Sequence, residues 1–285
     1  MRLITYQSCS GPRVGVLNGE WVRPVPGMDM LELIRQGEAG LSQAAASAEI
    51  ELGLGTLTLL APIPDPRRNI MCLGMNYAAH AAESLRAKNL PIKMPEVPVF
   101  FTKATTTVNA PFGDIPYDPE VTEKLDWEVE LAVVIGKQGK NIPRLEAFEY
   151  VFGYTVLNDV SARDLQTRHQ QFFKGKSLDG TCPMGPAIVT KDEVPDPHNL
   201  TLRCWVNGEL KQESTTAELI FDIPTLIEWL SHGMTLLPGD ILSTGTPSGV
   251  GNARTPPEYL KPGDVVACEV EGIGRISNRV VQASG

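Results

Sequence analysis

The run Leu125–Ile135 (LDWEVELAVVI) constrains this chain more than any other segment. Side chains alternate faces along a strand, so Trp127, Val129, Leu131, Val133 and Ile135 share one face. Glu128 and Glu130 share the other, which continues as Ala132 and Val134 and so predicts burial on both sides. Two neighbouring carboxylates in such a place repel each other and lose hydration unless a cation compensates. The competing reading is a strand whose end is solvated, with the acids facing water.

The rest of the chain is dense in strand signals. Phe100–Lys103, Val151–Leu157, Leu200–Val206 and Val265–Val270 carry branched or aromatic residues, and Asn207-Gly208 marks a hairpin. Leu237–Asp240 and Leu260–Asp264 read as turns leading into strands. Helices are expected over Asn76–Lys88, over Ala162–Gln171, and over Ile223–His232 with Asp222 as cap. Before residue 60 the chain shows short strands at Leu3–Tyr6, Val14–Leu17 and Trp21-Val22, then a helix capped by Asp29 and stopped by Gly37. Ala61–Pro66 (APIPDP) is a stiff connector. The fold class is therefore mixed α/β, mainly β, with a small N-terminal domain over 1–66 and a larger one over 67–285.

Asp159 closes an apolar strand just before a helix and offers a third carboxylate, although it could equally cap that helix. The five cysteines are dispersed and only four histidines exist, so a metal here must be held by oxygen. Glu128, Glu130 and Asp159 are hard ligands of the kind that take Mg²⁺ or Mn²⁺, with Ca²⁺ as a further candidate. His80 and Glu83 fall at i and i+3 if Asn76 opens a helix; a carboxylate there fixes the imidazole tautomer and makes a base able to activate water. Such pairs also occur on idle helix surfaces. Gly175-Lys176-Ser177 is not a phosphate loop, because Gln170 stands where that motif needs glycine. Lys176 is instead a candidate cation beside an anionic intermediate, or a solvated loop lysine. The turn Ser243–Gly251 (STGTPSGVG) presents amides and hydroxyls suited to a carboxylate, and it does not match a dinucleotide fingerprint.

Taken in order, Gly74–Glu83, Trp127–Leu131 (WEVEL), Asn158–Asp164 (NDVSARD), Gly175–Pro186 and Gly239–Gly251 resemble the fumarylacetoacetate hydrolase family, in its branch of acylpyruvate hydrolases and 2-hydroxyhepta-2,4-diene-1,7-dioate isomerases. The resemblance runs from about residue 60 to the C-terminus. It implies a mixed β-sandwich roll paired into a homodimer. It places metal ligands at Glu128, Glu130 and Asp159, the catalytic dyad at His80 and Glu83, and the active-site lysine at Lys176. Thr246 matches a substrate-carboxylate contact, with its neighbour Gly245, and Arg163 and Lys103 match basic positions near the site.

A formal charge of −9 and a pI near 5.0 argue against nucleic acid or an anionic membrane as partner. No apolar run approaches the ~20 residues that span a bilayer, and the N-terminus lacks a signal-peptide pattern, so a cytoplasmic protein is expected. The expected reaction is metal-dependent hydrolysis of the C–C bond of a 2,4-dioxo acid to pyruvate and a carboxylic acid. Decarboxylation of a 2-oxo diacid such as oxaloacetate, or isomerisation of an unsaturated 2-oxo diacid, would use the same metal enolate. Substrate choice is assigned to residues outside the motifs, among them Asn89–Pro98 as a candidate lid.

Overall fold

The computed structural model describes residues 1–87 and 91–283. The acidic strand, Val129–Ile135, is buried along its whole length. Val129, Leu131, Val133 and Ile135 pack into a core shared with Leu202, Cys204, Val266 and Val270. Ala132 and Val134 pack on the other side with Leu3, Val14, Leu33 and Ile241. Burial on both faces thus follows from the alternation in the sequence, and a strand so placed needs a layer above and below it.

Those layers are two sheets with attached helices. In the 12-stranded sheet the acidic strand lies between Val151–Asn158 and Ile241–Ser243, both antiparallel to it. Ile241–Ser243 then pairs in parallel with Ile70–Gly74, which pairs with Val99–Lys103. The opposite flank runs through Cys182–Thr190 to the N-terminal strand Arg2–Ser8 and its partner Gly11–Asn18. The segments on either side of the Ala61–Pro66 connector therefore share one sheet and one apolar cluster. The second sheet has five strands, Glu209–Thr215, Thr201–Val206, Val265–Val270, Gly274–Gln282 and Ile115–Tyr117. Asn207 and Gly208 close its first hairpin with φ of 52° and 82°, the left-handed pair that such a two-residue turn requires.

Helix ends depart from the sequence reading in two places. Asn76 caps nothing: its amide donates to Phe221 O and Thr244 O at 3.1 and 2.8 Å and accepts from Phe221 N–H at 2.9 Å. The dyad helix starts at Ala78 and is described to Ala87, with Lys88 outside the described residues. The expected helix Ala162–Gln171 is only Arg163–Arg168, because Gln170 turns left-handed at φ 60°. Asp159 does not cap it, since Ala162 holds that position without a side-chain bond. Asp29 and Asp222 do cap their helices, accepting from Glu32 N–H and Thr225 N–H at 2.7 and 2.9 Å. Of the candidate lid, Asn89 and Leu90 lie outside the described residues, and Pro91–Pro98 forms no helix or strand. No helix among the described residues is long and apolar enough to cross a membrane.

Candidate active site

The end of the acidic strand brings three carboxylates together. Glu130 pairs with Leu157 in register, and Asp159 N–H donates to Glu128 O at 2.9 Å, which ties the two acidic segments across the sheet. One oxygen each of Glu128, Glu130 and Asp159 lies within 4.8 Å of the others, and all three side chains are buried. The solvated-end reading of this strand is therefore excluded.

Each carboxylate has its own support. Glu130 accepts from the Ser243 hydroxyl at 2.5 Å and from Gly245 N–H at 2.9 Å. Glu128 accepts from Arg163 Nη2 and Lys176 Nζ, both at 2.6 Å. Lys176 Nζ also donates to Asp159 Oδ2 at 2.6 Å, bridging two members of the set. Asp159 Oδ1 lies 2.8 Å from Lys103 Nζ without hydrogen-bond alignment and has no other protein partner among the described residues. A buried carboxylate oxygen left this way, beside two more carboxylates, fits a hard divalent cation.

The electrostatics agree with that fit. Burial drives Glu130 well above the usual carboxylate range, and the Asp159 and Glu128 charges add to the rise. Burial acts on Glu128 in the same sense, but Lys176, Arg163 and His80 outweigh it and hold that group at about 2. Burial would discharge Lys176, yet Asp159 and Glu128 keep its affinity for the proton above that of an ordinary lysine. Lys176 is thus a fixed cation. Glu130, disfavoured as an anion by burial and its two acidic neighbours, is the member of the set that a divalent ion would return to the charged form.

A cavity of about 340 Å³ opens over this cluster, lined among others by His80, Glu128, Arg163, Lys176, Thr246 and Asn252. His80 Nδ1 stands 3.4 Å from Glu83 Oε2, and the histidine is buried, so the dyad is no idle helix-surface pair. Glu83 is itself anchored: Gly249 N–H reaches its two oxygens at 3.0 and 3.1 Å. Gly249 in turn receives the Trp127 indole N–H on its carbonyl at 3.2 Å, linking the dyad to the acidic segment. Thr246 Oγ1 accepts from Gln212 Nε2 at 2.9 Å, which leaves its own hydroxyl hydrogen for the cavity. Gly175 is explained by space rather than by phosphate, since a Cβ there would sit 2.5 Å from Gln166 N.

Two residues assigned to substrate do not line the cavity. Lys103 is fully buried, and its ammonium donates to Val160 O at 3.1 Å beside Asp159, a position fixed by the pairing of Ile70 with Lys103. Gly245 has its N–H engaged by Glu130, so that amide holds a carboxylate of the protein. Sequence reasoning also passed over Asp126. This fully buried side chain accepts from Arg163 Nε at 2.8 Å, Gly251 N–H at 2.7 Å and Asn252 N–H at 3.0 Å. The signal was present, because Asp126, Glu128 and Glu130 recur at every second residue.

Residues 69–281 match the sequence model described as Fumarylacetoacetate (FAA) hydrolase C-terminal. The chain belongs to the fumarylacetoacetate hydrolase family. Among family relatives, the oxaloacetate tautomerase YisK of Bacillus subtilis is 46% identical over 267 residues, covering 90% of this chain and 87% of its own. The mitochondrial oxaloacetate tautomerase FAHD2B of Bos taurus is 45% identical, covering 99% and 92%. The solved fumarylacetoacetate hydrolase of Exiguobacterium antarcticum superposes with a TM-score of 0.86 at 39% identity, over 99% of this chain and all of that one. The mixed, mainly β sandwich expected from the sequence is therefore the family fold.

Proposed function

We propose that this enzyme interconverts the keto and enol forms of oxaloacetate or a similar four-carbon 2-oxo diacid. The observation that carries the reading is one cavity lined by a carboxylate-positioned histidine, a fixed lysine cation and Glu128, the outermost member of a three-carboxylate cation site. The two tautomerase relatives, each similar over most of the chain, support the choice of reaction.

Glu128, Glu130 and Asp159 would hold Mg²⁺ or Mn²⁺, which when bound supplies a Lewis acid for the carboxylate and 2-oxo oxygens of the substrate. Thr246 donates its hydroxyl hydrogen to the substrate carboxylate. Lys176 and Arg163 place positive charge beside the oxygen that becomes anionic, where a preorganised cation is worth several kcal/mol. Glu83 engages His80 Nδ1 and leaves Nε2, 3.5 Å from the Ser84 hydroxyl, as the basic nitrogen. In the keto-to-enol direction His80 takes a proton from C3 and, as the imidazolium, returns that proton to the C2 oxygen. The reverse direction returns the proton to C3. A homodimer with a small 2-oxo acid as its partner completes the proposal.

The same dyad favours one second reading, hydrolysis of an acylpyruvate. Water activated by His80 would attack the C4 carbonyl, the C3–C4 bond would break, and C3 would take the proton to give pyruvate and a carboxylic acid. One assay separates the two. Purified protein with Mg²⁺ is given enol oxaloacetate and, separately, acetylpyruvate. Accelerated decay of enol absorbance without pyruvate release upholds tautomerisation, whereas stoichiometric pyruvate and acetate from acetylpyruvate transfers the assignment to hydrolysis. His80→Ala should abolish whichever activity is present while Mg²⁺ still binds, and full activity in that variant removes histidine from the mechanism.

A further inference from the structure

Asp126, Glu128 and Glu130 each hold side chains or amides around the site, and Asp126 and Glu128 share Arg163. Glu130 holds Ser243 and Gly245, and Glu128 holds Arg163 and Lys176. Asp126 Oδ2 holds both Arg163 Nε and the Asn252 N–H, at 2.8 and 3.0 Å, so these two residues stand side by side. Asp126 and Glu128 both bind Arg163, whereas Glu130 binds Ser243 and Gly245, which puts Asp126 and what it anchors at the end of the site away from Glu130.

Asn252 lines the cavity there and is half-buried. Its Oδ1 accepts from the Tyr259 hydroxyl at 2.8 Å. The amide has one acceptor and two donors, and Nδ2 makes no hydrogen bond to protein among the described residues. A primary amide tethered by its oxygen keeps both N–H donors for an acceptor in the cavity, while the neighbouring Arg163 is held by Asp126, Glu128 and Gln166.

We propose that Asn252 is a specificity-determining residue that reads the far carboxylate of a 2-oxo diacid, and that Tyr259 is the positioning residue that fixes its amide. This deepens the function proposed above and rests on it for the identity of the diacid. The near carboxylate goes to Thr246. The far one meets the Asn252 donors beside Arg163, so a mono-acid with the same 2-oxo head lacks that contact.

The test uses binding as well as turnover. Oxaloacetate and pyruvate are titrated calorimetrically into His80→Ala protein with Mg²⁺, alone and combined with Asn252→Ala, Asn252→Asp or Tyr259→Phe. Loss of a hydrogen bond to a charged group corresponds to about tenfold. Asn252→Ala should weaken oxaloacetate by about tenfold and leave pyruvate within about twofold. Asn252→Asp keeps the bond from Tyr259 but replaces the donor with an anion, and it should weaken oxaloacetate further. Tyr259→Phe should give a smaller loss in the same direction. In the His80-containing enzyme, Asn252→Ala should raise KM for oxaloacetate with kcat nearly constant, a split that general destabilisation would not produce. Equal losses for both ligands, or unchanged oxaloacetate affinity in Asn252→Asp, would overturn the assignment. Absence of turnover in the unsubstituted protein counts against the proposed reaction alone, because the binding comparison is made regardless.

Discussion

Replacing Lys176 by methionine removes a charge while keeping most of the side chain's volume. The ammonium bridges Glu128 and Asp159 at 2.6 Å each, with all three groups buried. Glu128 sits at about 2 against an ordinary 4.5, and the first of the charges opposing its burial is Lys176. Lys176 shares that depression with Arg163 and His80, and removing it orphans two buried carboxylates, a kind of loss that costs about 3 kcal/mol. The metal-free variant should therefore lose about 3 kcal/mol near neutral pH, or about 6 °C in Tm for a chain of this size. A carboxylate depressed in the folded state stabilises above its ordinary pKa, and that contribution is lost as pH falls through the folded value. The gap between parent and variant should thus be widest near neutrality and shrink between pH 4.5 and about 2. Mg²⁺ should recover part of the loss, since a cation returns to the same carboxylates. Urea unfolding in EDTA and in saturating Mg²⁺, repeated at descending pH, measures all three. Equal stability in EDTA near neutrality, or a gap that widens on acidification, refutes the account of Lys176 as the counter-charge.

Glu130 moves the other way, and its raised pKa means that Mg²⁺ binding should displace a proton and tighten as pH rises above 4.5. Calorimetric heats identical in buffers of different ionisation enthalpy would contradict that. Metal-free protein should also lose stability as pH climbs from 4.5 toward the folded value of Glu130, a trend that saturating Mg²⁺ abolishes. Asp126→Asn breaks the buried pair with Arg163 and should cost about 3 kcal/mol with a rise in KM, checked by urea unfolding and steady-state kinetics. Gly175→Ala places a methyl 2.5 Å from Gln166 N and 2.7 Å from Ala162 O. Neither backbone atom can yield cheaply, so a loss of about 1–3 kcal/mol with displaced Lys176 chemistry is expected, read from Tm and kcat together.

The two-face burial of the acidic strand could be read from residues because alternation is a local property with a period of two. The same holds for the His80–Glu83 spacing, the Asp29 and Asp222 caps, and the Asn207-Gly208 turn. Each depends on neighbours within a few positions. The Asp126 strut was equally open to inspection in the DWEVE spacing, but a third acid on the face carries no sign of which cation it holds.

Other assignments failed where distant chain supplied the partner. Asn76 has the chemistry of a helix cap, yet its amide serves Phe221 and Thr244, which lie 145 and 168 positions away. Gly245 faces Glu130, 115 residues back, and Lys103 is sealed beside Asp159 once Val99–Lys103 pairs with Ile70–Gly74. By itself, then, the sequence determined which strand must be buried and which acidic side chains it would carry into the interior. Only the tertiary structure decided which donors meet them, because a buried carboxylate takes whichever hydrogen bond or cation the packing of remote segments brings within about 3 Å.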